Sequence, residues 1–215
     1  MFSIKESLRF GWDKFKSNLN LSLATTLLVL AVSVLGEIGG EGKSGFFIFV
    51  LASVVLSIII RVGYIKIFLK MAGGEDAKFS EIFEGYKMFW RYLGVSILVG
   101  LAVIGGLILL VIPGLIWAIK YSFSQIILVD TEGRPVSSMK ESGAITQGSK
   151  WKLLGFYIVL GLINILGVVA LGVGLLVSIP VSTFAIIHVY RKLSKERAGL
   201  SAHQRTDLTP VSEGV

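Results

Sequence analysis

Residues 112–130 read IPGLIWAIKYSFSQIILVD. Pro113 fixes its own φ and Gly114 tolerates positive φ, so the pair can end one helix and begin the next with almost no loop. An apolar run, 92–111, leads into this break. An apolar helix follows it, carries one cation at Lys120 and ends on an acid, Asp130. Two apolar helices joined so tightly must lie antiparallel. The sequence predicts this arrangement three times along the chain.

The composition agrees with that reading. Hydrophobic residues make up 53% of the chain and charged residues 16%, with a mean hydropathy of +0.78. Soluble domains carry about 25% charged residues. Several apolar runs approach or exceed the roughly 20 residues a helix needs to cross a bilayer. The expected fold is therefore all-α: a polytopic membrane protein of six transmembrane helices in three hairpins, with amphipathic surface helices. Residues 1–192 are expected to form one membrane-embedded domain, and 193–215 a polar, disordered cytoplasmic tail. There is no cysteine, which excludes disulfides, thiolate metal sites and a cysteine nucleophile.

Taken in order, residues 2–19 predict an amphipathic helix with Ile4, Leu8, Trp12, Phe15 and Leu19 at helical spacing. Ser3 and Glu6 fit a capping box. Membrane helices are expected at about 19–38 and 46–71, joined by the glycine-rich segment 37–45. Arg61 and Lys66 lie near the far end of the second, within snorkelling reach of the interface. A second amphipathic helix is expected at 79–91, with an apolar stripe of Phe79, Ile82, Phe83, Tyr86 and Trp90. The hairpin 92–112 and 114–129 follows. Ser138 and Glu141 fit another capping box, on a third surface helix. The last hairpin pairs 153–171 with 175–190 across Gly172-Val173-Gly174, with a kink expected at Pro180.

All but Lys43 and Lys120 of the 21 Lys and Arg residues fall within 1–18, 61–91, 130–152 and 191–215. Six crossings place these four segments on one side. The positive-inside rule then puts both termini in the cytoplasm. The formal net charge of +7 is explained by those flanks, so nucleic acid is not an expected partner. Membrane lipids and other membrane proteins are.

Lys120 is the costliest residue in the apolar runs, because an intramembrane cation must snorkel or find a partner. It is expected to face the bundle interior or to reach toward Glu37. Tyr121 and Gln125 extend a polar face from it, and Asn164 is the isolated polar group of the fifth helix. Together these four make the candidate intramembrane polar site, set against a purely structural role in interhelical hydrogen bonding. Trp12, Trp90 and Trp151 are the expected interfacial anchors. His188 and His203 lie far apart in sequence, and no cluster of metal-ligating residues, nucleophile–base arrangement or phosphate loop is present in the sequence, so no metal, cofactor or enzymatic activity is expected.

The segments IPGLIWAIKYSFSQIILVDTEG, SSMKESGAITQGSKWKLLGFYIVLGLINILG and LGVGLLVSIP, followed by a basic end, resemble a family of poorly characterised prokaryotic integral membrane proteins. They are also similar to the membrane domain attached to some glycerophosphodiester phosphodiesterases. The matching features are Pro113-Gly114, Lys120, Asp130, Lys140 with Ser142, Gly148, Lys152 and the Gly172–Gly174 turn. The resemblance implies a six-helix membrane fold. It does not imply the esterase chemistry, since that catalytic domain is absent. The expected function is non-enzymatic work at the cytoplasmic membrane interface, as a scaffold, partner subunit or envelope-homeostasis factor. The alternative is a small transporter or lipid-moving protein using the polar site around Lys120.

Overall fold

The apolar runs become helices, and among the described residues there is no strand. The structure, a computed structural model, describes residues 2–38, 46–170 and 172–208, with side chains described over 2–34, 49–170 and 172–200. The chain forms α1 (Ile4–Ser17), α2 (Leu19–Ile38), α3 (Phe46–Gly73), a 3-10 helix (Phe79–Met88), α4 (Phe89–Leu109) and α5 (Val111–Lys120). It continues through α6 (Ser124–Thr131), α7 (Pro135–Ile145) and α8 (Lys150–Val169) to α9 (Leu175–Leu208). Four stretches are long and apolar enough to cross a membrane: Phe49–Gly73, Phe79–Leu109, Val111–Thr131 and Lys150–Val169. A fifth arises if α1 and α2, bent by 99°, count as one. These are the lengths of a multi-pass membrane protein. α9 is not among them, because Ser178, Pro180, Ser182, Thr183 and His188 interrupt its apolar run.

The turn after α4 differs from expectation in a way chemistry explains. The reversal occurs at Leu110, whose backbone is extended (φ −171°, ψ 152°), and Pro113 sits in the first turn of α5. A proline is tolerated there because the first backbone N–H groups of a helix have no intrahelical acceptor. Gly114 is not in the positive-φ region. Its smallness serves packing instead: a Cβ on Gly106 would lie 2.8 Å from the Gly114 Cα. The last hairpin has the same device, since a Cβ on Gly174 would lie 2.7 Å from the Gly167 Cα. There the turn does need a glycine for its backbone, at Gly172 with φ +75°.

Three short helices run back along the hairpins. The 3-10 helix packs on α3, α7 packs on α6 and α4, and α1, earliest in the chain, packs on α9. Each therefore covers the second arm of the hairpin before it, with α1 covering the last. Their contact faces coincide with only part of the predicted apolar stripes. α1 buries Ser7, Gly11 and Phe15, and leaves Trp12 and Leu19 exposed. The 3-10 helix buries Ile82, Gly85 and Met88, and leaves Phe79, Phe83 and Tyr86 exposed. Small residues allow close backbone approach: a Cβ on Gly85 would overlap the Ile59 carbonyl, and one on Gly63 the Ile82 carbonyl. Ion pairs fix the same contacts from outside. Lys70 meets Glu81 at 2.7 Å and Lys66 meets Glu84 at 3.0 Å, while Lys192 meets Glu6 at 2.8 Å.

The deepest core lies where these second arms converge. Phe68, Phe123, Phe184, Ile127, Leu128 and Ile187 are all fully buried. The Tyr64 hydroxyl stands 3.3 Å from Thr183 Oγ1 and 3.5 Å from Thr26 Oγ1, joining α3 to α9 and α2. Tyr190 donates to Asp130 Oδ2 at 2.6 Å, tying α9 to the end of α6. At the opposite end the arms expose their apolar side chains. Leu109, Leu110, Val111 and Ile112 are each 68% exposed or more, a patch that only lipid or another apolar partner could cover without penalty.

Two capping boxes expected from sequence are not formed. Ser3 caps α1 with extended backbone but no side-chain bond, and α7 starts at Arg134 and Pro135 rather than Ser138. α9 passes through Pro180 and continues to Leu208, past the expected end at residue 190. Residues 193–208 are rich in Leu, Lys, Glu, Arg and Ala, all good helix formers, which extend the helix into the segment expected to be disordered.

Candidate functional site

The predicted continuous helix over 114–129 is broken at 121–123, and the break builds the site. α7 carries Ser138, Ser142 and Thr146 on one face, all buried. Ser142 Oγ donates to the Lys120 carbonyl at 2.8 Å and accepts from the Phe123 N–H at 3.3 Å. Thr146 Oγ1 also reaches the Lys120 carbonyl, at 3.3 Å. The Ser124 N–H, which a continuous helix would aim at Lys120, bonds the Tyr121 carbonyl instead. Two hydroxyls from α7 thus replace the missing helical bonds, so the break leaves no buried backbone group stranded at Lys120 or Phe123.

Lys120 ends α5, where a cation is favoured by the helix dipole. Its side chain lies over Gly143 of α7, where an added Cβ would come within 2.9 Å of Cε. Its Nζ stands 5.2 Å from the centre of the Tyr121 ring, a cation–π distance. Lys120, Tyr121, Met139, Lys140, Gln147 and Lys150 line a cavity of about 670 Å³, whose apolar wall includes Leu98 and Val136. Three helices, α5, α7 and α8, each contribute one lysine. Among the described residues no carboxylate pairs with any of the three. Glu37, the expected partner of Lys120, has its side chain outside the described residues.

The four residues of the predicted polar site are not brought together. Lys120 and Tyr121 share the cavity just described. Gln125 faces a separate cavity of about 560 Å³ with Arg61, Tyr92 and Ser96. Its Nε2 donates to Ser96 Oγ at 3.1 Å. Asn164 serves the α8–α9 contact: it accepts from Ser178 Oγ at 2.8 Å and donates to Ser182 Oγ at 3.3 Å. One polar face was expected from 120–125, but the break at 121–123 turns Gln125 away from Lys120. Trp12, Trp90 and Trp151 all point outward, with Trp90 80% and Trp151 79% exposed. His188 Nδ1 stands 3.1 Å from Ser7 Oγ, and its ring stacks on Phe10 at 4.6 Å. Among the described residues no group of side chains could hold a metal ion. His203 lies outside the described side chains.

Sequence reading missed Lys140 and Lys150 as partners of Lys120. They looked like ordinary cytoplasmic flanks. The available signal was the small polar stripe Ser138–Ser142–Thr146, spaced by four residues, which brings α7 close against the lysine-bearing helix.

No protein-family model matches the chain. It is 26% identical, over 90% of its length, to an uncharacterised protein of Mycobacterium bovis, and this alignment covers 69% of that protein. The same identity and coverage hold for an uncharacterised protein of Mycobacterium tuberculosis. No solved structure matches.

Proposed function

We propose that this is a non-enzymatic protein of the prokaryotic cytoplasmic membrane that binds an anionic lipid headgroup at its cytoplasmic face through Lys120, Lys140 and Lys150. One observation carries this reading: three lysines from three helices line one cavity, and no described carboxylate neutralises them. Clustered cations at a membrane interface attract anionic headgroups by about 1 kcal/mol each. The wall of Leu98, Val136 and Met139 suits the glycerol and upper acyl segments. Tyr121 and Gln147 supply further hydrogen-bonding groups.

The chain crosses the membrane six times, with α2 to α5–α6, α8 and α9 as the spans and both termini in the cytoplasm. The charge distribution supports this, as do the two hairpin turns at Leu110 and Gly172. The similarity to membrane domains attached to glycerophosphodiester phosphodiesterases supports the same architecture. A transport pathway is the weaker reading, because the cavities at Lys120 and at Gln125 share no lining residue. The protein acts as a lipid-engaged scaffold or partner subunit rather than as a conduit.

Native mass spectrometry of the full-length protein, released from phosphatidylcholine vesicles containing phosphatidylglycerol, tests the proposal. Retention of phosphatidylglycerol over phosphatidylcholine is expected. Lys120→Met with Lys140→Gln and Lys150→Gln should cut that preference roughly tenfold or more, the worth of one or two charge-assisted contacts. Equal retention of both lipids by the wild type, or an unchanged preference in a variant that unfolds at the wild-type temperature, would reject the assignment.

A further inference from the structure

The cavity beside Gln125 is independent of the lysine site and has its own chemistry. It lies between α2, α3, α4 and α6. Along α3 it runs from Val50 to Arg61, about 16 Å at 1.5 Å per residue. One stripe of that helix, Ser53, Ser57 and Arg61, is spaced by four residues and is polar. The neighbouring stripe, Val50, Val54 and Ile58, is apolar. The slot therefore has a polar side and an apolar side along its length, with its one cation at the Arg61 end.

Arg61 has no carboxylate partner among the described residues. It stands beside the Tyr92 hydroxyl. That hydroxyl belongs to a residue only 2% exposed, and Arg61 is the group near enough to interact with it, though short of good hydrogen-bond geometry. Gln125 gives one amide hydrogen to Ser96, leaving its second available, and the Ser96 proton is uncommitted. Guanidinium, phenol, amide and hydroxyl donors thus face one end of a slot whose other end is lined by valine.

We propose that this slot is a second lipid site, in which Arg61 and Tyr92 hold the phosphate of an anionic glycerophospholipid and the Val50–Ile58 stripe holds its acyl chain. A guanidinium presents a planar fork of donors that matches two phosphate oxygens, which an ammonium does not. Ser53 and Ser57 direct their protons to the backbone of their own helix, at Val50 and Val54. Their oxygens remain as acceptors for glycerol hydroxyls or water. The donors gathered at the Arg61 end suit a headgroup, and the apolar stripe that runs beside the serines offers a chain a wall to lie against.

The test uses full-length protein in phosphatidylcholine vesicles doped with photoactivatable phosphatidylglycerol, followed by peptide mapping. Saturable labelling of residues 50–61 and 92–96 is expected, and a photoactivatable phosphatidylcholine probe should not reproduce it. Arg61→Met should raise the half-saturating probe fraction roughly tenfold or more. Arg61→Lys and Tyr92→Phe should shift it less, in the same direction. Lys120→Met should leave this labelling unchanged, so failure of the lysine site and failure of this one are read separately. Excess inorganic phosphate should not compete; competition would assign the site to free phosphate and overturn the lipid assignment. If Arg61→Met does not fold, Tyr92→Phe and Ser57→Leu, which fills the slot, decide the matter. Unchanged labelling in both, or equal labelling by the two probes, would overturn the proposal.

Discussion

The Ser142 hydroxyl donates to the backbone carbonyl of Lys120 and accepts from the N–H of Phe123, three residues further on. A single side chain on α7 therefore spans the break between α5 and α6 and holds Lys120 at the mouth of its cavity. Ser142→Ala should strand the Phe123 N–H in a buried setting and leave the Lys120 carbonyl to Thr146 alone, at a cost of about 1–3 kcal/mol. Thermal unfolding in detergent measures it. A variant as stable as the wild type would mean that Thr146 or water satisfies the break alone.

Gly105 and Gly106 are neighbours with opposite expectations. A Cβ at Gly106 meets Gly114 Cα at 2.8 Å and the Trp117 ring at 3.0 Å, whereas nothing lies within 4 Å of one at Gly105. Gly106→Ala should destabilise by about 1–3 kcal/mol through overpacking. Gly105→Ala should be neutral, or stabilising by up to about 1 kcal/mol through helix propensity. The two unfolding curves, run side by side, check the hairpin contact directly.

The clasp between α1 and α9 is pH-dependent. The Lys192 hydrogen bond holds the Glu6 carboxyl below its ordinary value of 4.5, with Lys192 and His188 as neighbouring groups. A depressed carboxylate pKa stabilises the fold above the unfolded value and loses that contribution as pH falls through the folded one. Protection of α1 amides, taken relative to the intrinsic exchange rate at each pH, should therefore fall as pH drops below 4.5, and Glu6→Gln should remove that fall while lowering protection at neutral pH. Because Glu6 is exposed, the effect is small.

Sidedness follows from the charge distribution. Cysteine placed at Ser137, on α7, and at Val173, in the last hairpin turn, should be reached from opposite faces of the membrane. An impermeant thiol reagent applied to intact cells should label the Val173 variant and spare the Ser137 variant until the cells are opened. Equal labelling would rule out α8 as a single crossing between the two positions.

The apolar helices and the approximate places where the chain reverses were readable, because lipid-length apolar runs leave few alternatives to helix. The pairing of the short helices was not. Hydrophobic periodicity set Trp12 and Tyr86 on apolar stripes without saying whether those stripes meet protein or lipid; the structure packs through Gly11 and Gly85, beside Phe15 and Ile82, and leaves Trp12 and Tyr86 outside. In water an apolar stripe finds the protein core; beside a membrane it can equally face lipid, so periodicity alone does not choose. The better signal was chemical. Lys5-Glu6-Ser7 recurs as Lys140-Glu141-Ser142, and both serines are fully buried. Ser7 meets His188 of α9, and Ser142 meets the Lys120 carbonyl where α5 gives way to α6. Lys120 itself stood out as a lone cation in sequence. Its company of lysines became visible only once α7 was seen lying against it.

The packing of α1 on α9 also sets an order of events. Ser7, Gly11 and Phe15 leave the ribosome long before Val181 and Ala185, the backbone they close upon. Until α9 is made, the last hairpin has no lid and α1 has no seat. Meanwhile the 3-10 helix and α7 can dock as soon as each emerges, because their partners, α3 and α6, are already present. The ring of contacts therefore closes last at its own starting point, when α9 arrives to seat α1.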